Sequence, residues 1–324
     1  MTAGAPRPRN LPASILDRLR NRAGAEGEEL QLVLMRYALE RLLYRLSCSP
    51  HREQFVLKGA MLFRVWADLP DRPTRDLNLL GYGEHDPERL QHVFRQTCTT
   101  AVEDDGLAFL ADVITAEVMK EGEEYEGVRL RLEARLGSAR IPVLIDVGFG
   151  DAVTPAPEEV SYPVLLDLPA PRLHVYPRET VVAEKLEALV KLGMTNSRMK
   201  DFYDLWSLSR TFAFNGPTLT RAVRATFARR GTATADEPLA LTPEFAAEPA
   251  RQVQWRALLR RVRIRGDVPS LEGVIDHLRR FLLPVLQAGA GGANLAAAWP
   301  PGGPWMESTA NADELEHDEI RGKA

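Results

Sequence analysis

Two adjacent segments in the middle of the chain limit its fold more than any other feature of the sequence. Residues 128–136 alternate between apolar and mostly charged side chains, the period-two pattern of a strand with one buried face. Residues 141–147 are apolar enough for a central strand, and residues 137–140 predict a hairpin turn between the two segments. We therefore expect a sheet in the middle of the chain.

Helical patterns flank this predicted sheet on both sides along the sequence. Residues 13–47 place leucines, a valine and a tyrosine on one broad apolar face at helical spacing. After proline-rich loops at residues 154–171, the pattern becomes helical again. We predict five helices there, at residues 177–193, 199–211, 217–229, 250–264 and 270–287.

The end of the chain differs in composition from the rest. From residue 288 it is rich in glycine, alanine and proline, and it finishes with an acidic segment. Such a composition is typical of segments that do not fold by themselves. We therefore expect an N-terminal helical segment at 1–50, a core at 51–170, a helical domain at 171–287 and a flexible tail at 288–324.

Composition indicates an ordinary globular protein. The 324 residues are 45% apolar, and the net charge of -4 shows no global preference for nucleic acid, although local basic patches can still bind it. The N-terminus lacks an apolar signal core, and no apolar run approaches the roughly 18 residues of a membrane span. Cys48 and Cys98 have no metal-ligand spacing and suit a reducing cytoplasm, the expected location.

A polar pair stands out in the segment TRDLNLL, residues 74–80. On a strand, Asp76 and Asn78 share one face, while the leucines around them anchor the strand in the core. The pair is a candidate for binding chemistry. The alternative is a solvated edge strand.

A third polar residue, Asp146, lies inside the apolar run IPVLIDV. A carboxylate in a central strand is costly unless it is paired, protonated or bound to a metal, and exposure at a strand end is the other alternative. If Asp146 and Asp76 lie on adjacent strands, their oxygens could hold a hard cation. Magnesium suits such a site, because it takes one or two carboxylates and completes its shell with water and phosphate.

The predicted helix at 177–193 carries a lysine on its apolar side. Lys185 falls among valines and leucines that should face the core, so it either reaches out to solvent or serves a site. Downstream, Asp201 and Asp204 are three residues apart and share a helix face. Their alternative role is structural, bonded to Arg198, Lys200 or a loop.

Five segments in this order resemble the AbiEii/AbiGii toxin nucleotidyltransferases, relatives of the MenT toxins. They are FVLKGAMLF, PTRDLNLL, LIDVG, VVAEKLEAL and MKDFYDLW, and the likeness covers roughly residues 50–210. The resemblance implies an α+β fold: a polymerase β-like nucleotidyltransferase core with a mixed sheet, and a mostly helical C-terminal domain.

The resemblance also implies a metal site and a phosphate-binding turn. Asp76 corresponds to the family's first metal carboxylate and Asp146 to its third, with Asn78 between them as a further ligand. The residues implied to bind nucleotide are Lys58, Gly59 and Ala60 in the turn, Thr74 and Arg75 before the acidic motif, and Lys185, Asp201 and Asp204 in the helices. Asp76, Asn78, Asp146 and Lys185 are the implied catalytic residues, grouped around one Mg²⁺ pocket.

The chain departs from the family pattern at one important position. Where the family has Asp-x-Asp, this sequence has Asp76-Leu77-Asn78. Asparagine offers a neutral oxygen in place of a carboxylate, so metal binding should be weaker. The substitution is interpreted as a natural weakening, a degenerate site or a deliberate silencing. A milder departure is Ala60, where a second glycine is common.

The implied function is that of a toxin in a type IV-like toxin–antitoxin system, with a cognate antitoxin protein as partner. The enzyme would move a nucleoside monophosphate from a nucleoside triphosphate to an acceptor, with tRNA or another RNA as the first choice. Basic helical segments at residues 223–230 and 255–265 could hold RNA phosphates, or could simply be solvated helix faces. If Lys185 serves the site, Lys185→Ala should abolish nucleotide binding at a nearly unchanged melting temperature.

Two alternatives belong to other functional classes. In the first, Asn78 marks a catalytically weakened protein that binds a nucleotide or a partner without transfer. In the second, the chain is an antitoxin-like DNA binder. That reading needs a basic helix-turn-helix near one end, and residues 13–47 contain no convincing one.

Overall fold

The structure is a computed structural model that describes residues 10–66, 74–120, 126–234, 236–261 and 268–307. The chain divides into two units. The first comprises Met1–Ala67, Asp71–Asp151 and Pro157–Tyr176, and the second comprises Asp68–Pro70, Ala152–Ala156 and Pro177–Ala324. The N-terminal helices, which the sequence had set apart, are thus part of the first unit.

The first unit combines helices with strands. Its helices are α1 (Leu11–Glu26), α2 (Leu30–Cys48), α3 (Leu62–Val65) and α4 (Pro87–Cys98). Its strands are β1 (Phe55–Lys58), β2 (Leu77–Gly81), β3 (Leu107–Phe109), β4 (Thr115–Lys120), β5 (Glu126–Leu136), β6 (Ala139–Phe149), β7 (Glu158–Ser161) and β8 (Arg172–Val175).

These eight strands form one mixed sheet. The strand order is β3-β5-β6-β2-β1-β8-β7, and β4 pairs with the other half of β5. The β2–β6 and β1–β8 pairs are parallel, whereas the remaining pairs are antiparallel. The expectation of an α+β fold with a mixed sheet is confirmed.

The β5–β6 hairpin forms where the alternating pattern predicts it. Nine pairs of residues face each other along the two strands, from Val128 opposite Val147 to Leu136 opposite Ala139. The apolar residues of the pattern are buried on one face, and α2 and α4 pack in this part of the unit. The charged residues of the pattern therefore lie on the opposite face of the sheet.

The second unit is mostly helical, as the sequence predicts. Its helices are α5 (Arg178–Leu192), α6 (Met199–Thr211), α7 (Gly216–Arg229), α8 (Pro243–Ala247), α9 (Pro249–Arg261) and α10 (Leu271–Ala290). A small sheet of three short strands completes it: β9 (Phe214–Asn215), β10 (Ala297–Trp299) and β11 (Met306–Glu307).

The prediction of a flexible tail from residue 288 is wrong for residues 288–307. Helix α10 continues to Ala290, and β10 pairs with both β9 and β11. Trp299 is almost fully buried, and its indole donates a hydrogen bond to the backbone of Ser209. Two tryptophans thus bring large apolar surfaces to a segment that otherwise consists mainly of alanine, glycine and proline. Residues 308–324 lie outside the described part of the chain.

Among the described residues, no helix combines the length and the apolar character that crossing a bilayer requires.

Candidate active site

Two of the predicted metal ligands meet at neighbouring positions of the sheet. Strands β2 and β6 run side by side in parallel, and Asn78 is the register partner of Asp146. Asp76 comes directly before β2, two residues from Asn78, and its charge acts on the same Arg129 guanidinium as that of Asp146. All three are only partly buried, and the site is accessible within the first unit.

The Asp76 carboxylate is held by the residue that the resemblance places beside it. The hydroxyl of Thr74 donates a hydrogen bond to Asp76 Oδ1 over 2.6 Å. Arg75, between them, has an exposed side chain. Thr74 therefore orients Asp76, and its contact with the nucleotide stays a prediction.

The predicted phosphate-binding turn lies against Asn78. Lys58 is the register partner of Asn78 on β1, and Gly59 follows it with φ +75°, a left-handed conformation that favours glycine. A Cβ at Gly59 would lie 2.9 Å from the Asn78 Cβ, so the turn needs glycine for space as well. Ala60 is buried and has a negative φ, which explains why alanine is tolerated there.

Lys58 has a partner that sequence reasoning missed. Its ammonium forms an ion pair with Asp151, just beyond the end of β6, and the Tyr176 hydroxyl donates to the same carboxylate over 3.2 Å. The Asp151 side chain is nearly fully buried. The signal was present, because Asp151 ends the segment IPVLIDVGFGD, but a contact across 93 positions cannot be read from spacing.

Asp146 is paired, which is one of the states expected for a carboxylate in a central strand. Arg129 on β5 donates from Nε to Oδ1 and from Nη2 to Oδ2, each over 2.8 Å. The hydrogen bond to Asp146 raises the pKa of Arg129, and the charges of Glu117 and Asp76 act in the same direction. Arg129 is thus close enough to interact electrostatically with both Asp76 and Asp146. The sequence did not indicate Arg129 as a site residue.

In the second unit, Lys185 joins the two helix carboxylates. Its Nζ donates to Asp201 Oδ1 over 2.6 Å and to Asp204 Oδ2 over 2.8 Å. Burial alone would raise the pKa of Asp201, but the neighbouring ammonium outweighs this, and the pKa lies below its usual value. Asp201 and Asp204 share a helix face as expected, and their partner is Lys185. A common pocket for Lys185, Asp76 and Asp146 spans two units and stays a prediction.

Some arginines of the basic helical segments predicted to bind RNA already contact other residues of the protein. On α7, Arg224 donates to Gly292 O and Asn294 Oδ1, and the Arg230 that follows the helix pairs with Glu187 over 2.8 Å. These contacts leave α7 with less cationic surface for phosphate than its sequence indicates. Of the second segment, residues 262–265 lie outside the described part of the chain.

A family profile described as "Nucleotidyl transferase AbiEii toxin, Type IV TA system" matches residues 41–276. That match covers well over half of the chain. The chain belongs to the AbiEii family. No curated protein matches it.

Two solved structures resemble this AbiEii chain weakly. One is a candidate nucleotidyltransferase from H. pylori, with 14% identity over 79% of this chain and 93% of that one, at a TM-score of 0.42. The other is JHP933 from Helicobacter pylori, with 11% identity over 89% of this chain and 96% of that one, also at 0.42. These likenesses add nothing to the functional reasoning.

The oxygen donors of this AbiEii chain fit magnesium. Asp76, Asn78 and Asp146 provide two carboxylates and one amide oxygen at neighbouring positions, and Mg²⁺ completes its shell with water and phosphate oxygens. Within the described ranges, no three His, Cys, Asp or Glu residues form a metal-binding group. Asparagine at position 78 agrees with that result, because a third carboxylate would stand there.

Proposed function

We propose that this AbiEii chain is a toxin that transfers a nucleoside monophosphate from a nucleoside triphosphate to an RNA hydroxyl, with Mg²⁺. One observation carries the proposal: Asn78 and Asp146 are register partners on parallel strands, beside the left-handed Gly59 turn. Membership of a nucleotidyltransferase family supports the reaction class. A cognate antitoxin as partner, tRNA as acceptor and the cytoplasm as location belong to the same proposal.

The residues of the first unit suit these tasks. Asp76, Asn78 and Asp146 would hold the metal, which when bound supplies a Lewis acid for the triphosphate and the attacking hydroxyl. Thr74 fixes one oxygen of Asp76, so that carboxylate is oriented in advance. Glycine at position 59 lets the turn approach Asn78 closely, and Lys58 brings a positive charge to the same turn.

The reaction is an in-line displacement at the α-phosphate. The acceptor oxygen forms a bond to phosphorus, the bond to the β-phosphate oxygen breaks, pyrophosphate leaves, and the hydroxyl proton passes to a base. The proposed role of Lys185, Asp201 and Asp204 in nucleotide binding concerns the second unit. It is supported by an ammonium that two carboxylates hold in a fixed position.

A second candidate function is nucleotide or partner binding without transfer. It is favoured by the neutral side chain at Asn78 and by the guanidinium that already occupies both oxygens of Asp146. Both features reduce the attraction of the site for a divalent cation.

A transfer assay separates the two functions. The full chain, Asn78→Asp and the double variant Asp76→Asn/Asn78→Asp are incubated with tRNA, magnesium and each α-labelled triphosphate. The double variant is the matched control, because it keeps the carboxylate count of the natural chain. We expect Asn78→Asp to label tRNA about tenfold faster than the natural chain, as ligand charge sets metal affinity, and the double variant to be inactive.

The possible contrary outcomes differ in meaning. Nucleotide binding by Asn78→Asp without labelling of RNA or protein supports the binding function. If Asn78→Asp neither binds nucleotide nor transfers label, the enzyme assignment fails.

A further inference from the structure

One row of side chains crosses five strands of the first unit in register. Glu117 pairs with Arg129, Arg129 with Asp146, Asp146 with Asn78, and Asn78 with Lys58. We call these five residues the charged row. From Glu117 to Lys58, the formal charges alternate as minus, plus, minus, zero and plus. The neutral position is Asn78, where the AbiEii pattern has a carboxylate.

Arg129 occupies the position in this row from which it blocks Asp146. Its two hydrogen bonds of 2.8 Å engage both carboxylate oxygens, the two-point geometry in which arginine binds carboxylates most strongly. A divalent cation at Asp146 would share that carboxylate with a guanidinium of the same charge sign. Repulsion between the two cations makes their binding to Asp146 antagonistic.

The Arg129–Asp146 pair is accessible to water, so another partner can replace the guanidinium at Asp146. The Arg129 side chain is 33% exposed and that of Asp146 15% exposed. An accessible pair gains modest energy from its contact, because water stabilises each ion when they separate. The guanidinium can therefore leave Asp146 without leaving a bare charge in the core.

Arg129 also has an acceptor on its other side. Glu117 is its register partner on β4 and at present pairs with Arg131, with both side chains about half exposed. A guanidinium that leaves Asp146 thus stays beside a carboxylate. Glu117 gives Arg129 a second position within the same row.

The side chain at position 78 determines whether a divalent cation or the Arg129 guanidinium binds Asp146 more strongly. The site residues Asp76 and Asp146 contribute two negative charges, and Arg129 cancels one of them. A carboxylate at position 78 would restore two net charges and favour a divalent cation over the guanidinium. With asparagine there, the internal arginine is the stronger competitor.

We infer that Arg129 is a positioning residue that competes with the divalent cation for Asp146 and moves towards Glu117 or the incoming triphosphate when the cation binds. This inference rests on the proposed function. The competition makes binding of the divalent cation to Asp146 depend on an anionic ligand that draws the Arg129 guanidinium away. The natural chain should therefore bind a divalent cation weakly alone and more tightly with nucleotide.

The test measures Mn²⁺ binding by electron paramagnetic resonance, with the full chain and no nucleotide. Arg129→Gln removes the competitor, and Arg135→Gln is the matched control, an arginine on the same strand and face that pairs with Glu133 and not with Glu117. We expect Arg129→Gln to bind Mn²⁺ about tenfold more tightly than the natural chain. Arg135→Gln should stay within about twofold, and Asp146→Asn should bind more weakly.

A further variant, Arg129→Lys, keeps the charge and loses the two-point contact, so its affinity should lie between those of the natural chain and Arg129→Gln. It also provides the measurement if Arg129→Gln does not fold, which circular dichroism would reveal.

Two failures are distinguishable. If Arg129→Gln binds Mn²⁺ no more tightly than the natural chain while Asp146→Asn weakens binding, Arg129 does not compete, and the proposed function survives. If neither the natural chain, Arg129→Gln nor Asn78→Asp binds Mn²⁺, the metal site does not exist, and both proposals fail.

Discussion

Two arginine–carboxylate pairs in the first unit have the same chemistry and different surroundings. The accessible pair, Arg129–Asp146, lies on the sheet face that carries the site. The buried pair, Arg45–Asp105, has two contacts of 2.6 and 3.0 Å, and the Asp105 side chain is 1% exposed. Arg41 adds a third contact to Asp105 over 2.9 Å and is itself fully buried.

The difference teaches that hydrogen-bond geometry alone does not tell a structural ion pair from a functional one. Around Asp105, three residues saturate the carboxylate: Arg41, Arg45 and Leu107 through its backbone amide. Removing the Asp105 carboxylate would leave two arginine charges away from water, which is costly. Around Asp146, water can replace a partner, so the same contact can be exchanged.

The largest effect is expected from Asp105→Asn. The variant leaves Arg41 and Arg45 buried without an anion, so we expect a loss of about 3–5 kcal/mol in the free energy of unfolding. Denaturant unfolding followed by circular dichroism measures it. Asp104→Asn, at the exposed neighbouring position, is the control and should change stability by less than about 0.5 kcal/mol.

The pH dependence gives a second readout of Asp105. Burial alone would raise its pKa, but the hydrogen bonds and charges of Arg45 and Arg41 outweigh this and hold the pKa below 3.8, its usual value. Its stabilising contribution is therefore complete above that value and is lost as the pH falls through the lower, folded-state pKa. Equal acid sensitivity of Asp105→Asn and the natural chain would contradict the comparison.

An intermediate effect is expected from Lys185→Met in the second unit. Methionine keeps the apolar stem but leaves Asp201 and Asp204 without their ammonium, and the Asp204 side chain is fully buried. We expect a loss of about 3 kcal/mol, the lower end of the cost of breaking a buried pair. A nearly unchanged melting temperature would contradict this and favour the sequence-based expectation that Lys185 serves the nucleotide site, whereas a large loss gives Lys185 a structural role.

The loss in Lys185→Met should depend on pH. Burial raises the pKa of Asp201 and the Lys185 ammonium lowers it, so without that cation the folded-state pKa of Asp201 rises. The loss is therefore largest near pH 7 and shrinks as the pH falls through that raised pKa. Lys191→Met, an exposed lysine on the same helix, is the matched control. A pH-independent loss would mean that packing, and not charge, accounts for it.

The smallest effect on stability is expected from Asp146→Asn. Because its arginine partner can be hydrated, we expect a loss of at most about 1 kcal/mol, together with complete loss of nucleotide transfer. Unfolding and transfer are measured on the same preparation. A stability loss as large as that of Asp105→Asn would remove the distinction between the accessible and the buried pair.

Local patterns predicted much of the fold. Alternation over 128–136 located β5, and the apolar run over 141–147 located β6, because a half-buried strand requires those patterns. The tail was misjudged, since two tryptophans outweigh the glycine and proline around them. Composition averages over a window, whereas the burial of Trp299 also depends on α6, where Ser209 accepts its hydrogen bond from 90 positions earlier in the sequence.

The sequence predicted the shared face of residues on one element, and the resemblance implied that the acidic motifs of β2 and β6 lie together, but neither predicted the ion pairs between elements. The shared face of Asp201 and Asp204 follows from helix geometry alone. The Arg129–Asp146 and Lys58–Asp151 contacts depend on strand register and loop position, which no local spacing fixes. A charged residue on an alternating strand, such as Arg129, cannot be recognised as a site residue from the sequence until its register partner is known.

The close approach of Gly59 to Asn78 also bears on how this chain can change over time. A larger side chain at position 78 would press on the turn, but aspartate has the same shape as asparagine. Asparagine and aspartate codons differ by a single base. A lineage carrying this fold can therefore gain or lose the carboxylate in one mutational step, with no repacking of its neighbours.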